Sequence, residues 1–298
     1  MIHSKGLRLA VLLNGVMLGS SVAGASISNV YLAQSGVGAN SGTSCPNAYA
    51  STFFNDAANW GNGALQIGPG TTVHLCGTIT GLPGGSGLGF RGSGTAGNPI
   101  TLLFETGAQL NAPYWEWAIR TNNNSYITIN GGANGIVQNT DNGTLLKYKQ
   151  PSTLVVASNC NKCIIENLSL ANSYIHYAGD SNAVIDQTLV RALQYSGSGV
   201  LITNNSIHDC GWCVENFYGN DTNSEFSHNN LYNFDHALAV APGASTAAAS
   251  YLMIHDNQIH DSANWDCTNL GCHHDGLHFF AAVADSTTLG NLYVYNNY

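Results

Sequence analysis

The feature that most limits what this chain can fold into is a repeat. Residues 200–209 read VLITNNSIHD, 223–233 read NSEFSHNNLYN, 251–261 read YLMIHDNQIHD, and 291–298 read NLYVYNNY. When Ile207, Leu231 and Ile259 are placed in register, Ile202, Phe226 and Ile254 coincide five residues earlier. Asn205, Asn229 and Asn257 coincide two residues earlier, and Asp209, Asn233 and Asp261 two residues later. A weaker copy at 164–172, IIENLSLAN, puts Ile165 and Leu170 in the apolar slots.

The clean copies start 24 and 28 residues apart. That period is short for a helical pair and suits one coil of a β-solenoid. Alternating apolar residues bury one strand face, which a short strand cannot do alone, so the copies must stack. An Asn recurring at one site tolerates left-handed backbone and can bond the same Asn one coil away. The competing architecture, a β-sandwich, would leave the matching Asn columns without a purpose. The prediction is an all-β fold, a single-stranded parallel β-helix over residues 26–298; the bias of parallel crossovers, together with the family resemblance given below, makes it right-handed.

Residues 1–25 read as a secretory signal. Lys5 and Arg8 charge its start, 9–18 is mostly apolar, and Ala23-Gly24-Ala25 offers small residues for cleavage. No later stretch is long and apolar enough to be a membrane span. Export is therefore expected, to the periplasm or outside the cell. Only 8% of residues are charged. Two of the eight Lys and Arg lie within 1–25, so the remainder carries six cations against 17 Asp and Glu, a net charge of 6 − 17 = −11. Such a surface repels nucleic acid and anionic membranes. It also repels an acidic polysaccharide unless a cation intervenes.

The eight cysteines fall in near pairs: Cys45 and Cys76, Cys160 and Cys163, Cys210 and Cys213, Cys267 and Cys272. An even count in an exported chain favours disulfides, with connectivity left open. Cys210-Gly211-Trp212-Cys213 has redox-motif spacing, but that motif works at a helix N-terminus, and here it sits inside the β repeat. Near the start, Phe53, Phe54, Ala57 and Trp60 fall on one face of a short amphipathic helix at 51–60, with Ser51 as its N-cap. Such a helix would cover the first coil and protect its strand edge. Strands are expected at 72–75, 99–104 and 126–129.

The order YLAQSG…SGT from Tyr31, then PGTTVHLCGT from Pro69, then GSGTAGNPITL from Gly92 resembles the N-terminal entry of secreted right-handed parallel β-helix proteins. This is the pectate-lyase-like superfamily, which includes polysaccharide lyases and glycoside hydrolases. The resemblance covers 31–298 and implies the fold and a polysaccharide partner for a monomer. It assigns no catalytic residue: no pectate-lyase-type Arg or Lys motif is present, and Asp235-His236 lacks the Pro of the alginate epimerase Asp-Pro-His signature. The final VYNN matches ITNN of 202–205 with no apolar residue after it, which reads as a C-terminally truncated solenoid.

Chemistry-bearing residues concentrate late. Eight of eleven histidines lie from His208 onward, interleaved with Asp. A second alignment matches Val214, Leu238 and Leu277 as inward residues. It stacks Trp212, His236 and Asp275 two positions earlier, Gly211, Asp235 and His274 three earlier, and Glu215, Ala239 and His278 one later. Adjacent coils lie about 4.8 Å apart, so Asp235, His236, His274 and Asp275 form a patch with Glu215 and His278 beside it.

A His beside a carboxylate is suited to acid–base work. His236 or His278 is the expected base, Asp275 its orienter or a cation ligand, and Glu215 a spare acid. Trp212, Phe217, Tyr218, Trp265 and Phe279 are candidates for stacking on sugar rings. No metal is required by this reading. Calcium on Asp235, Asp275 and Glu215 and zinc on Cys267, Cys272, His274 and His278 stay open as alternatives. Asp209 and Asp261 read as turn-formers. Two functions follow: a carbohydrate-active lyase or hydrolase, or a non-catalytic glycan-binding or scaffold β-helix. In a scaffold, the same polar groups would serve as turn ladders.

Overall fold

The structure, a computed structural model, describes residues 26–143, 146–173, 190–217, 222–241, 249–263, 274–280 and 289–298. All strand pairings between successive coils are parallel, and the strands wind into a right-handed β-helix with three faces. The first face runs through Asn29–Ala33, Thr72–Leu75 and Ile100–Phe104. It continues through Leu201–Thr203, Glu225–Ser227 and Leu289–Tyr295. One inward column crosses this whole face: Val30, Val73, Leu102, Ile129, Ile165, Ile202, Phe226, Ile254 and Val294. All but the last are at most 2% exposed. The expected stacking of Ile202, Phe226 and Ile254 is therefore the actual register.

Ser206–Phe217 and Asn230–Ala241 are long strands that each supply two faces. The second face stacks Leu170, Ile207, Leu231 and Ile259. Each coil bends where one residue takes left-handed backbone. Between the first and second faces these are Asn167, Asn204, His228, Asp256 and Asn296, with φ of 59°, 56°, 58°, 55° and 52°. Between the second and third they are Asn172, Asp209, Asn233 and Asp261, with φ from 52° to 62°. Asn and Asp adopt this region more easily than other residues with a Cβ, which suits them to the corners. Asp209 and Asp261 are thus turn residues, as expected.

The repeating Asn205, Asn229 and Asn257 do not take the left-handed conformation. Each follows the corner and turns its amide inward, into a buried ladder. The Asn205 Nδ2 donates to Asn229 Oδ1 at 3.0 Å, Asn229 to Asn257 at 3.1 Å, and Asn257 to Asn297 at 2.9 Å. Each Oδ1 also accepts the backbone N–H of the Asn before it. At the other end the Asn205 Oδ1 accepts from the N–H of Leu168, where the ladder stops. A buried amide so placed has its polar groups satisfied.

At the N-terminal end the predicted helix is shorter than expected. Thr52–Asn55 is α-helical and Ala57–Asn59 is 3-10. Ser51 makes no capping bond; Asp56 instead caps the second turn through the N–H of Ala58 at 3.0 Å. The edge protection holds. Asn55 bonds the carbonyl of Gly87 at 2.8 Å and the N–H of Gly89 at 2.9 Å, which occupies the open edge of Gly85–Gly89. Gly87 itself lies so close to the next coil that a Cβ there would sit 2.0 Å from the Ala118 carbonyl. Disulfides join Cys45 to Cys76, Cys160 to Cys163 and Cys210 to Cys213. Cys210 and Cys213 are fully buried within a strand, just after the Asp209 corner, a structural placement unlike a redox motif. Cys267 and Cys272, and residues 1–25, lie outside the described residues. No helix among the described residues is long and apolar enough to cross a membrane.

Candidate active site on the third face

The third face carries the candidate site residues, and its strands depart from simple alternation. Two consecutive residues point inward: Ala118 and Ile119, Leu154 and Val155, Ala192 and Leu193, Ala237 and Leu238. The residues flanking each pair therefore emerge on the same outer side, three positions apart. Arg120 lies over the Trp117 ring at 4.8 Å, and Asp275 bonds His278, because of this geometry. Two outward columns result. One stacks Thr153, Arg191, Trp212, His236 and Asp275; the other stacks Val156, Gln194, Glu215, Ala239 and His278. The predicted pairings of His236 with Asp275 and of Ala239 with His278 are part of this register.

His236 is the centre of the patch. Its Nδ1 lies 2.9 Å from Asp235 Oδ2, and its Nε2 lies 3.6 Å from Asp275 Oδ2. The other Asp235 oxygen lies 3.0 Å from His274 Nδ1. His278 Nδ1 bonds the same Asp275 oxygen that faces His236. The imidazole of His236 stacks on Trp212, with ring centres 4.7 Å apart and planes 20° from parallel. It meets His278 edge-on at 5.1 Å. The side chain of His236 is 6% exposed, while those of Asp275 and His278 are 31% and 23% exposed. The patch thus has a buried floor and an open rim.

Asp235, His236, His274, Asp275 and His278 come together; Glu215 does not join them as a spare acid. It is 1% exposed and ion-paired with Arg191, with Gln194 Nε2 at 3.5 Å. Burial pushes the Arg191 guanidinium down to about 10. The Glu215 carboxylate is thus compensated by Arg191 within the solenoid wall. Asp235, Asp275 and Glu215 thus turn to different partners, unlike the oxygen cage expected for calcium.

His236, Asp275 and His278 instead form one group whose ligating atoms all lie within 4.8 Å of one another. Of the aromatic residues, Trp212 borders the patch and Phe279 is 37% exposed on the next column. Phe280 is the second wall: its ring lies 6.0 Å from Trp212 and 4.8 Å from His278. Tyr218 and Trp265 lie outside the described residues, as does the side chain of Phe217.

Sequence reasoning missed Arg191, Gln194 and Phe280. Extending the Trp212 column back one coil would have found Arg191. Phe280 lies just past the end of the strand Asp275–Phe279, where no repeat marks it. Other His–Asp pairs are of a simpler kind. His208 with Asp209, His255 with Asp256, and His260 with Asp261 join neighbours in sequence, each Asp being a corner residue. A cleft near the N-terminal cap, lined by Asn40, Tyr49, Thr52, Phe53 and Asp56, lies on other coils. Its two rings stack on each other at 4.3 Å.

No protein-family model matches this chain, and no curated protein does. Among solved structures, a crystal structure of pectate lyase Pel9A is similar, with a TM-score of 0.56 and 15% sequence identity. The match covers 92% of this chain and 64% of that one, so the chain spans less than two thirds of the lyase. At that identity the likeness speaks for the fold. The parallel register, the stacked inward column and this likeness together identify the fold as a right-handed parallel β-helix, similar to that of the pectate lyase.

Proposed function

We propose that this is an exported carbohydrate-active β-helix protein, a polysaccharide lyase or glycoside hydrolase, acting at Asp235, His236, His274, Asp275 and His278. The observation that carries the reading is the convergence of carboxylates and imidazoles from two coils on an outward face walled by Trp212 and Phe280. Imidazoles held by carboxylates take and give protons near neutral pH, as removal of a sugar proton or protonation of a leaving oxygen requires. Aromatic walls suit the apolar faces of sugar rings. Export is supported by the leader-like start and by three disulfides, which persist in oxidising compartments.

The excess of acidic over basic residues, 17 against six beyond residue 25, disfavours bare polyuronate as substrate and favours a neutral glycan, or an acidic one bridged by a cation. The test is a polysaccharide panel offered to the full chain. New absorbance from unsaturated uronate ends marks a lyase; new reducing ends without it mark a hydrolase. Asp275→Asn keeps the shape and removes the charge, so activity should fall by orders of magnitude with little change in melting temperature. Glycan retention without any turnover would replace this reading with the non-catalytic glycan-binding scaffold.

A further inference from the structure

We infer that His236, Asp275 and His278 form a binding site for one divalent first-row transition ion, with Asp235 as the residue that orients its buried ligand. The inference deepens the reading above by giving that site a ligand, and its test reads binding, so the two can fail separately.

The corner His–Asp pairs elsewhere join consecutive residues and close a turn. Asp275 and His278 come from one coil and His236 from its neighbour, and neither His236 nor His278 sits at a left-handed corner. Two imidazoles converge on a single carboxylate oxygen, Asp275 Oδ2. One donor atom from each residue lies within 4.8 Å of the others. Ligands about 2.0–2.2 Å from a zinc-sized ion lie somewhat closer together than that, so a modest inward movement of the exposed Asp275 and His278 completes the set.

The next shell has the matching form. Asp235 Oδ2 accepts from the Nδ1 side of His236 at 2.9 Å. That bond leaves the Nε2 lone pair facing Asp275, the carboxylate–histidine arrangement that holds a metal ligand in its tautomer. Trp212, stacked at 4.7 Å, fixes the ring plane. Asp275 and His278 are partly exposed, which gives the ion an entry path and open coordination positions.

Two nitrogens and one carboxylate select zinc, manganese, cobalt or iron over calcium and magnesium, hard ions that prefer all-oxygen ligation. With an ion bound, His236 and His278 are occupied as ligands. Proton transfer then falls to His274, which Asp235 also holds at 3.0 Å.

Cobalt(II) is the probe. Full-length protein stripped with EDTA should take up one Co2+ per chain, with visible ligand-field bands, and zinc should displace it while calcium should not. Asp275→Asn and His278→Ala should each weaken cobalt binding at least tenfold. Asp235→Asn touches no ion and should weaken it about 10- to 100-fold. His260→Ala, at a corner pair, should leave it unchanged.

Stoichiometric Co2+ binding that survives the double change Asp275→Asn, His278→Ala would place the ion elsewhere and overturn the assignment. So would the absence of Co2+ and Zn2+ binding by the unmodified chain. If the double variant does not fold, unchanged affinity in Asp235→Asn overturns the assignment equally. Turnover insensitive to EDTA in a chain that binds no cobalt would remove the metal and keep the catalytic reading. Cobalt binding without turnover of any glycan would keep the metal and remove that reading.

Discussion

Replacing Asn229 by alanine removes the middle rung of the buried ladder, and the structure shows what is lost. The Asn229 Oδ1 accepts from the backbone N–H and the Nδ2 of Asn205, both at 3.0 Å. Its Nδ2 donates to the carbonyls of Ile202 and Ser227 at 3.0 Å and to Asn257 Oδ1 at 3.1 Å. Some partners have substitutes. The Asn205 amide keeps Ile165 O and Thr203 O, and Asn257 Oδ1 keeps the N–H of residue 229.

The N–H of Asn205 loses its acceptor at a position 2% exposed. Stranding one buried donor costs about 1–3 kcal/mol, and each remaining bond is worth about 1 kcal/mol net, not fully additively. The expected loss is about 3–5 kcal/mol. Asn297→Ala is the internal control. That residue makes the same kind of bonds but is only part-buried, so water substitutes and the cost is about 1 kcal/mol. Urea denaturation followed by far-ultraviolet circular dichroism measures both, and amide exchange shows whether the coil at 200–231 opens first. A cost for Asn229→Ala below about 1 kcal/mol, or no larger than for Asn297→Ala, would refute the reasoning.

Arg191→Met should cost about 3–5 kcal/mol by leaving Glu215 charged and buried, whereas Arg191→Met with Glu215→Leu should recover most of it; a double-mutant cycle in urea decides. The Asp209 carboxyl is held below its usual range chiefly by the bond from His208. A depressed carboxylate stabilises above its unfolded pKa, and that contribution is lost as pH falls through the lower folded value. Asp209→Asn, which keeps the left-handed corner, should flatten that acid limb in thermal melts at stepped pH. Removing the Cys45–Cys76 bond, which spans 31 residues, should cost about 4 kcal/mol on the chain-entropy scale. Removing Cys210–Cys213, which spans three, should cost about 2 kcal/mol, again read in urea.

The inward column of Ile202, Phe226 and Ile254 was legible because a stacked strand must repeat its apolar residues at one position. The pairing of His236 with Asp275 was legible for the same reason, through Leu238 and Leu277. Strict alternation, however, would bury His236 on the same side as Leu238. Only the two consecutive inward residues bring it out, and sequence does not announce such a bend. The role of Glu215 was hidden because its partner, Arg191, lies in a coil without the Asn repeat. The ladder asparagines were visible, but their corner role belongs to the residue before them, since the buried position rewards an amide and the corner rewards a left-handed backbone.

The ladder also bears on how such a chain can grow. Each rung accepts from the coil before it and donates to the coil after it, so the two faces of a coil are complementary to each other, head to tail. A stretch the length of the 24 residues from Asn205 to Asn229 can be duplicated in place with every new amide finding a partner. In the early coils the residues after the left-handed Gly77 and Gly107 are Thr78 and Ala108, which carry no side-chain amide and impose no such matching condition. Gene duplication within the asparagine-bearing coils therefore lengthens the outward face, and any glycan track laid on it, one phase-matched coil at a time.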